Sequence, residues 1–137
     1  MKLKVKGTRA ERELQHMLFE HGWMPLRAAG SGSTTLPAVD LVAGNGKKCI
    51  AIECKSISGD KQYFDKEEIK QIKTFARKFG ADPIIGVRFD NIGWYFIDLK
   101  DLVKGAGKNY FVSLESAQEK GFSFNNLIEK YKWLSCY

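Results

Sequence analysis

The 137-residue chain has no apolar run approaching the roughly 20 residues that a membrane-spanning helix needs. Its first residues, Met1 to Lys6, alternate Lys with Leu and Val and pass straight into polar sequence, so no apolar signal core is present. A soluble, cytoplasmic protein that is not secreted is the expectation. Cysteine is sparse and odd in number: Cys49, Cys54 and Cys136. Cys49 and Cys54 fall on one expected strand with opposite parity, so their side chains diverge, and reduced thiols rather than a disulfide framework follow. Histidine is scarcer still. His16 and His21, five apart on an expected helix, do not give the paired spacing of a zinc site. No Pro/Gly/Ser-rich linker and no internal repeat divides the chain, and its length suits one hydrophobic core, so residues 1–137 read as a single domain.

What is present is apolar enough to fold, at 44% hydrophobic, and distinctly basic: 22 Lys plus Arg against 16 Asp plus Glu, a net +6. An excess of that sign points to a polyanionic partner such as nucleic acid. The pattern along the chain is mixed. Apolar residues at helical spacing from Ala10 to His21, with Thr8 before them and Gly22 after, predict a first helix capped by Thr8. Trp23 to Arg27 reads as a short strand and Ala28 to Leu36, rich in Gly, Ser and Thr, as a loop. Strands follow at Val39 to Ala43 and Lys48 to Lys55. A second helix is capped by Asp65, carries Ile69, Ile72, Phe75, Ala76 and Phe79 on one face, and stops at Gly80. Beyond it come strands at Ile84 to Phe89 and Trp94 to Asp98, a short helix near Leu99 to Lys104, a strand near Tyr110 to Val112 and a last helix from Phe124 to Leu134. The expected class is α/β, a central mixed sheet flanked by helices.

The Gly44-Asn45-Gly46 segment between two β-rich runs predicts a hairpin. With Asn45-Gly46 as a two-residue turn, Gly44 pairs with Lys47 and opposed residues sum to 91. Asp40 then faces Ala51 and shares a face with Glu53 and Lys55, with the Asp40 and Glu53 Cα atoms diagonal at about 7 to 8 Å. Two carboxylates converging beside a lysine suit a hard cation such as Mg²⁺ that keeps several waters and bridges to phosphate. Lys55 would then orient an attacking water or stabilise charge on phosphorus. The competing reading is an ordinary Glu53–Lys55 ion pair at a strand end with Asp40 solvated. Glu11 is either a third metal-side carboxylate or the partner of Thr8 in a capping box, and the two roles are compatible. Ser31 is either a phosphate contact or a loop spacer.

Taken together these segments resemble the archaeal Holliday-junction-resolving endonucleases of the restriction-endonuclease-like superfamily. The likeness runs from Lys6-Gly7 to about Leu134. It rests on Lys6-Gly7 with Glu11-Arg12, Arg27-Ala28 followed by Ser31-Gly32-Ser33, the Asp40 strand, Glu53-Cys54-Lys55, Phe75-Ala76-Arg77-Lys78, and Tyr95-Phe96-Ile97. The resemblance implies a restriction-endonuclease-like fold. It implies an endonuclease resolving four-way DNA junctions by paired Mg²⁺-dependent hydrolysis in recombination and repair, with Mn²⁺ able to substitute and no organic cofactor. Asp40, Glu53 and the Cys54 carbonyl would hold the metal, with Glu11 beside them, Lys55 would be the catalytic lysine, and Ser31 would assist cleavage. Lys6, Arg9, Arg12, Arg27, Ser31 and Ser33 would contact DNA. The chain departs from the family pattern at Val39, where proline often precedes the metal aspartate, and at Glu68, where a glutamine can stand.

The resemblance also implies a homodimer, since two sites related by a two-fold axis can nick a junction symmetrically. The consecutive Trp94, Tyr95 and Phe96 place large rings on both faces of one strand, which fits either a subunit contact or a strand covered on both sides within one subunit. Two rival functions remain: another Mg²⁺-dependent DNA nuclease of restriction or repair type, and a non-catalytic architectural DNA-binding protein.

Overall fold

The strand Cys49–Ile57 (β3) lies inside a six-stranded sheet in the computed structural model, which describes residues 2–29, 34–107 and 109–135. Met24–Arg27 (β1) and Leu41–Gly44 (β2) precede it. Asp82–Phe89 (β5), Gly93–Asp98 (β6) and Phe122–Ser123 (β9) complete the order β1-β2-β3-β5-β6-β9. Every neighbouring pair is antiparallel except β3 with β5. That parallel pair needs a long crossover, and Lys61–Phe64 (β4) with the helix Lys66–Phe79 (α2) supplies it. A smaller sheet of order β4-β8-β7 adds Tyr110–Ser113 (β8) and Val103–Lys104 (β7). The remaining helices are Lys2–Glu20 (α1), Leu114–Lys120 (α3) and Phe124–Ser135 (α4).

Alternation along β3 separates two cores. Ile50, Ile52 and Cys54 point to one side, where Leu14 and Leu18 of α1 and Phe124 and Leu127 of α4 pack. Ala51 points to the other, against Ile69, Ile72 and Ala76 of α2 and Ala117 of α3. Leu14, Leu18, Ile50 and Ile52 are fully buried, each stabilising the fold by about 2 kcal/mol. The second side turns polar further along β3, at Glu53 and Lys55.

The second helix forms as expected. Asp65 accepts from the Glu68 N–H at 2.8 Å, Glu68 accepts from the Asp65 N–H at 3.3 Å, and Gly80 closes the helix at φ 83°. Its outermost ring differs from expectation: Phe79 is 51% exposed and stacks on Phe75. The first helix begins at Lys2, a full two turns before the expected start, so Thr8 lies in its interior and no Thr8–Glu11 capping box forms. No proline interrupts those residues, and Lys6 fastens the early turns to Asp90 at 2.7 Å. The short helix near Leu99 to Lys104 is only the 3₁₀ turn Leu99–Asp101, after which Val103 and Lys104 join the small sheet. β4, α3 and β9 had no apolar period long enough to signal them.

The hairpin turn is displaced by one residue. Asn45 N–H donates to the Lys48 carbonyl, Gly46 takes φ 92°, and the Asn45 side chain accepts from the amides of Lys47 and Lys48. Gly46-Lys47 is therefore the turn centre, and opposed residues sum to 93, as in Leu41 with Ile52. The Asn45 side chain accounts for this, since it occupies the Lys47 amide that a turn centred on Asn45-Gly46 would have bonded to Gly44.

The Trp94-Tyr95-Phe96 triplet is enclosed within one subunit. Trp94 and Phe96 are 7% and 0% exposed beneath α1 and α4, and Tyr95 packs toward the other core. Trp94 and Phe96 are therefore not dimer contacts, because α1 and α4 cover their face of β6, and Tyr95 is half-buried against the other core.

Glu13 locks α1 in place: one of its oxygens accepts from the Trp94 indole at 2.7 Å and from Arg88 at 2.9 Å. Burial raises its pKa, but those two hydrogen bonds outweigh it and hold the carboxyl below the usual range. Glu13→Ala leaves the indole N–H without an acceptor and is expected to destabilise the protein by about 1 to 3 kcal/mol in denaturant unfolding. Glu13→Gln, which keeps an acceptor, is expected to lose less than half of that; equal losses would show that the charge rather than the indole bond matters.

Candidate active site

Asp40 stands just before β2, and its backbone and side chain both hold it. Its carbonyl accepts from the Ala28 N–H at 2.8 Å, and its Oδ2 accepts from the Cys54 N–H at 2.8 Å. The second bond replaces a ladder bond that β2 no longer supplies beyond Leu41. The register shift moves the chain by two, so parity survives and Asp40 stays on the face of Glu53 and Lys55, now opposite Glu53 rather than diagonal to it. In an extended strand a residue's N–H and C=O point to the same edge. The Cys54 carbonyl is therefore turned toward the edge where Asp40 sits.

The two carboxyls are half-buried and close enough for each to shift the titration of the other. Burial is the first cause that raises Asp40, relieved in part by the Cys54 N–H, Lys55 and Glu53. Glu53 is pushed up to about 8, first by burial and then by the Asp40 charge, with Lys55 opposing and Glu68 adding to it. Glu53 is thus the proton donor of the pair at neutral pH. Burial and the surrounding acids also push the Cys54 thiol up, and that side chain belongs to the α1-side core.

Around the pair stand four further charged groups. Glu11 of α1 accepts from Arg27 Nε at 2.9 Å, both side chains being under one-fifth exposed. Burial and the Asp40 charge raise Glu11, and Arg27 counters them. Lys55 Nζ lies 3.7 Å from Glu68 and 5.7 Å from the centroid of the buried Phe64 ring. A cleft of about 260 Å³ opens onto Glu53 and Glu68, walled by Thr34, Thr35, Leu36, Ala38, Gln71 and Ile72.

Four of the expected residues therefore meet: Glu11, Asp40, Glu53 and Lys55. Glu11 pairs with Arg27 and lies within the field of Asp40. Among the described residues no three His, Cys, Asp or Glu side chains converge as a ready metal cage. Arg27, expected on DNA, pairs through Nε with Glu11, and Lys6, likewise expected there, pairs with Asp90. Arg9 and Arg12 are exposed on α1. Ser31 and Ser33 lie outside the described residues. His16 and His21 are both exposed, and His21 Nδ1 hydrogen-bonds the Met17 carbonyl. Two contacts were missed from sequence. The Arg27–Glu11 pair joins a strand end to a helix across 16 residues, which no local pattern encodes. Glu68 stood out in the sequence only as a departure from the family pattern, and its contact with Lys55 is set by the fold.

Comparison with known proteins decides the family. The archaeal Holliday junction resolvase (Hjc) family model matches residues 2–135. The chain belongs to the archaeal Holliday junction resolvase family. The crossover junction endodeoxyribonuclease Hjc of Archaeoglobus fulgidus is 34% identical over 129 residues, 94% of this chain and 93% of that one. The Hjc of Methanocaldococcus jannaschii is 34% identical over 94% of this chain and 91% of its own. The 1.6 Å structure of Archaeoglobus fulgidus Hjc, a Holliday junction resolvase, superposes with a TM-score of 0.82 at 32% identity, covering 89% of this chain and 99% of that chain. The expected restriction-endonuclease-like fold and the expected enzyme class, an endodeoxyribonuclease of this resolvase family, are both borne out.

The pH behaviour of the metal-free protein follows from Glu53. Its folded pKa of about 8 lies above its unfolded value near 4.5, so the stability it contributes is full below the unfolded value and is lost as pH rises through the folded one. The thermal midpoint in chelator is expected to fall between pH 5 and 8.5. Glu53→Gln is expected to flatten that fall and to exceed the parent by about 1 kcal/mol or more at pH 8.5. A parent midpoint independent of pH would mean that the carboxyl pair is not strained.

Proposed function

We propose that the chain cleaves four-way DNA junctions as a homodimer, using a divalent cation held by Asp40, Glu53 and the Cys54 carbonyl in a single nuclease domain spanning residues 1–137. The observation that carries this reading is the half-buried Asp40–Glu53 pair, with Asp40 held by the Cys54 N–H. The site gathers four carboxyl groups, Glu11, Asp40, Glu53 and Glu68, against two cations, Arg27 and Lys55. With all acids ionised the deficit is two positive charges, which one divalent ion makes good. Two carboxylates and a carbonyl, with no nitrogen or sulfur donor turned inward, suit Mg²⁺ or Mn²⁺. When bound, such an ion lowers the pKa of water and polarises a phosphate oxygen.

The chain's own groups do the rest. Asp40, fixed by the Cys54 N–H, and Glu53, on a central strand, supply rigid oxygens. Lys55 holds positive charge where a scissile phosphate would enter and steadies the attacking water. Arg9 and Arg12, exposed on the helix that carries Glu11, bind backbone phosphates without reading bases. Recognition would then be of junction shape, in a cytoplasmic, DNA-associated role in recombination and repair; among the described residues no helix is long and apolar enough to cross a membrane.

The second copy has a face to sit on. Leu26 opposes Val42, which opposes Ala51, so Met24 and Leu26 project to the α2 side of the sheet. α2 lies over β3 and β5 and leaves β1 bare: Met24 is 66% exposed, Leu26 68% and Phe79 51%. An apolar face of this kind on a soluble chain marks an interaction surface.

Asp40→Asn and Glu53→Gln are expected to bind a four-way junction within about threefold of the parent while losing Mg²⁺-dependent nicking by about 10³-fold or more. Cleavage by either variant at the parental rate would remove the metal assignment, and equal parental rates on junction and matched linear duplex would remove the resolvase assignment.

Leu26→Asp combined with Phe79→Asp is expected to convert the dimer to a folded monomer in light scattering and to abolish paired cutting. An unchanged mass would place the interface elsewhere.

A further inference from the structure

Lys55 stands at the end of a three-part support. Its ammonium lies over the fully buried ring of Phe64, 5.7 Å from the centroid, and faces Glu68 at 3.7 Å, while β3 fixes its backbone beside β5 at Val87. Glu68 is itself pinned. Its Oε1 accepts from the Asp65 N–H while Asp65 accepts from the Glu68 N–H, and the helix behind it is anchored by Ile69, Ile72 and Ala76. Its other oxygen, Oε2, is the one that meets Lys55. The same side chain lines the cleft with Glu53. Glu68 therefore ties the first turn of α2 to the lysine of the site by a charge that a glutamine would not carry.

We infer that Glu68 is a positioning residue for cleavage, holding the Lys55 ammonium in place against the Asp40–Glu53 pair. This rests on the proposed roles of Asp40, Glu53 and Lys55. A four-carbon stem has many rotamers, and a flexible cation left to itself samples positions away from the reacting phosphate. A misplacement of about 1 Å can cost up to about 100-fold in rate. The Phe64 ring and Glu68 both restrict the head. Without the Glu68 charge the ammonium would be drawn to whichever of Asp40 and Glu53 is ionised, the two oxygens needed for the cation.

The test is single-turnover cleavage of a four-way junction at saturating Mg²⁺ and saturating enzyme. Glu68→Gln keeps the acceptor for the Asp65 N–H, so its thermal midpoint should stay within about 2 °C of the parent, whereas its cleavage rate should fall about tenfold with junction affinity unchanged. Glu68→Ala should show the same rate loss and, in addition, a midpoint lower by several degrees from the broken cap. A Lys55→Ala background separates positioning from a merely structural role: adding Glu68→Gln there should not slow the residual rate further. A Glu68→Gln rate equal to or above the parental one, or a further loss on the Lys55→Ala background, overturns the inference. Failure of the underlying site looks different: Lys55→Ala or Glu53→Gln would then cut at the parental rate, whatever Glu68→Gln does.

Discussion

One hydrogen bond organises the site, the 2.8 Å contact in which Asp40 Oδ2 accepts from the Cys54 N–H. It takes the place of a rung where β2 has already ended, so the sheet continues through a side chain instead of a backbone. That substitution leaves a carboxylate inserted at the edge of a central strand, beside Glu53 and within reach of the Cys54 carbonyl. Two acids held this way cannot separate to relieve their repulsion, and partial burial limits their hydration. The result is the elevated Glu53, a local instability kept by the surrounding fold because the site needs oxygens already converged.

The two faces of the sheet divide the labour. On one, α1 and α4 bury a continuous apolar core that includes Trp94 and Phe96, and α1 is fixed at both ends of its exposed side by Lys6–Asp90 and by Glu13 with Arg88 and Trp94. This face supplies rigidity. On the other, α2 covers β3 and β5 only, so the sheet emerges from beneath it as the polar row of Asp40, Glu53 and Lys55 and, one row along, as the bare Met24 and Leu26. The proposed reaction site and the proposed subunit contact are thus neighbours on the incompletely covered side. Arg27 and Glu11 bridge the two faces at the edge, bringing an α1 carboxylate into the field of Asp40.

Much of this was legible in the residues. The spacing around Asp65 and Gly80 defined α2 to within a residue, because caps are chemical signals that act locally. The shared face of Asp40, Glu53 and Lys55 was also legible, and it survived a mistaken turn centre because the true register differs by two and parity repeats every two residues. A slip of one would have destroyed it. Other features depend on distant partners. Thr8 looks like a cap until Lys6 meets Asp90 and draws the helix outward to Lys2. Arg27 and Lys6 carry ion pairs, to Glu11 and Asp90, that no spacing announces. Trp94 and Phe96 look like surplus aromatics until α1 and α4 fold over them. Each of these features concerns a residue whose surroundings are decided by a group 16 or more positions away, where no local pattern speaks.

The central claim is that the Asp40–Glu53 pair is a carboxylate site carrying a proton that a divalent cation displaces. The most direct measurement is calorimetric titration of the parent with Mg²⁺ or Mn²⁺ at pH 7 in buffers of different ionisation enthalpy, which counts protons released per ion bound. With Glu53 titrating near 8, close to one proton should be released, and Glu53→Gln should lose both the release and most of the affinity. Binding without proton release, or binding of undiminished affinity in Glu53→Gln, would contradict the account.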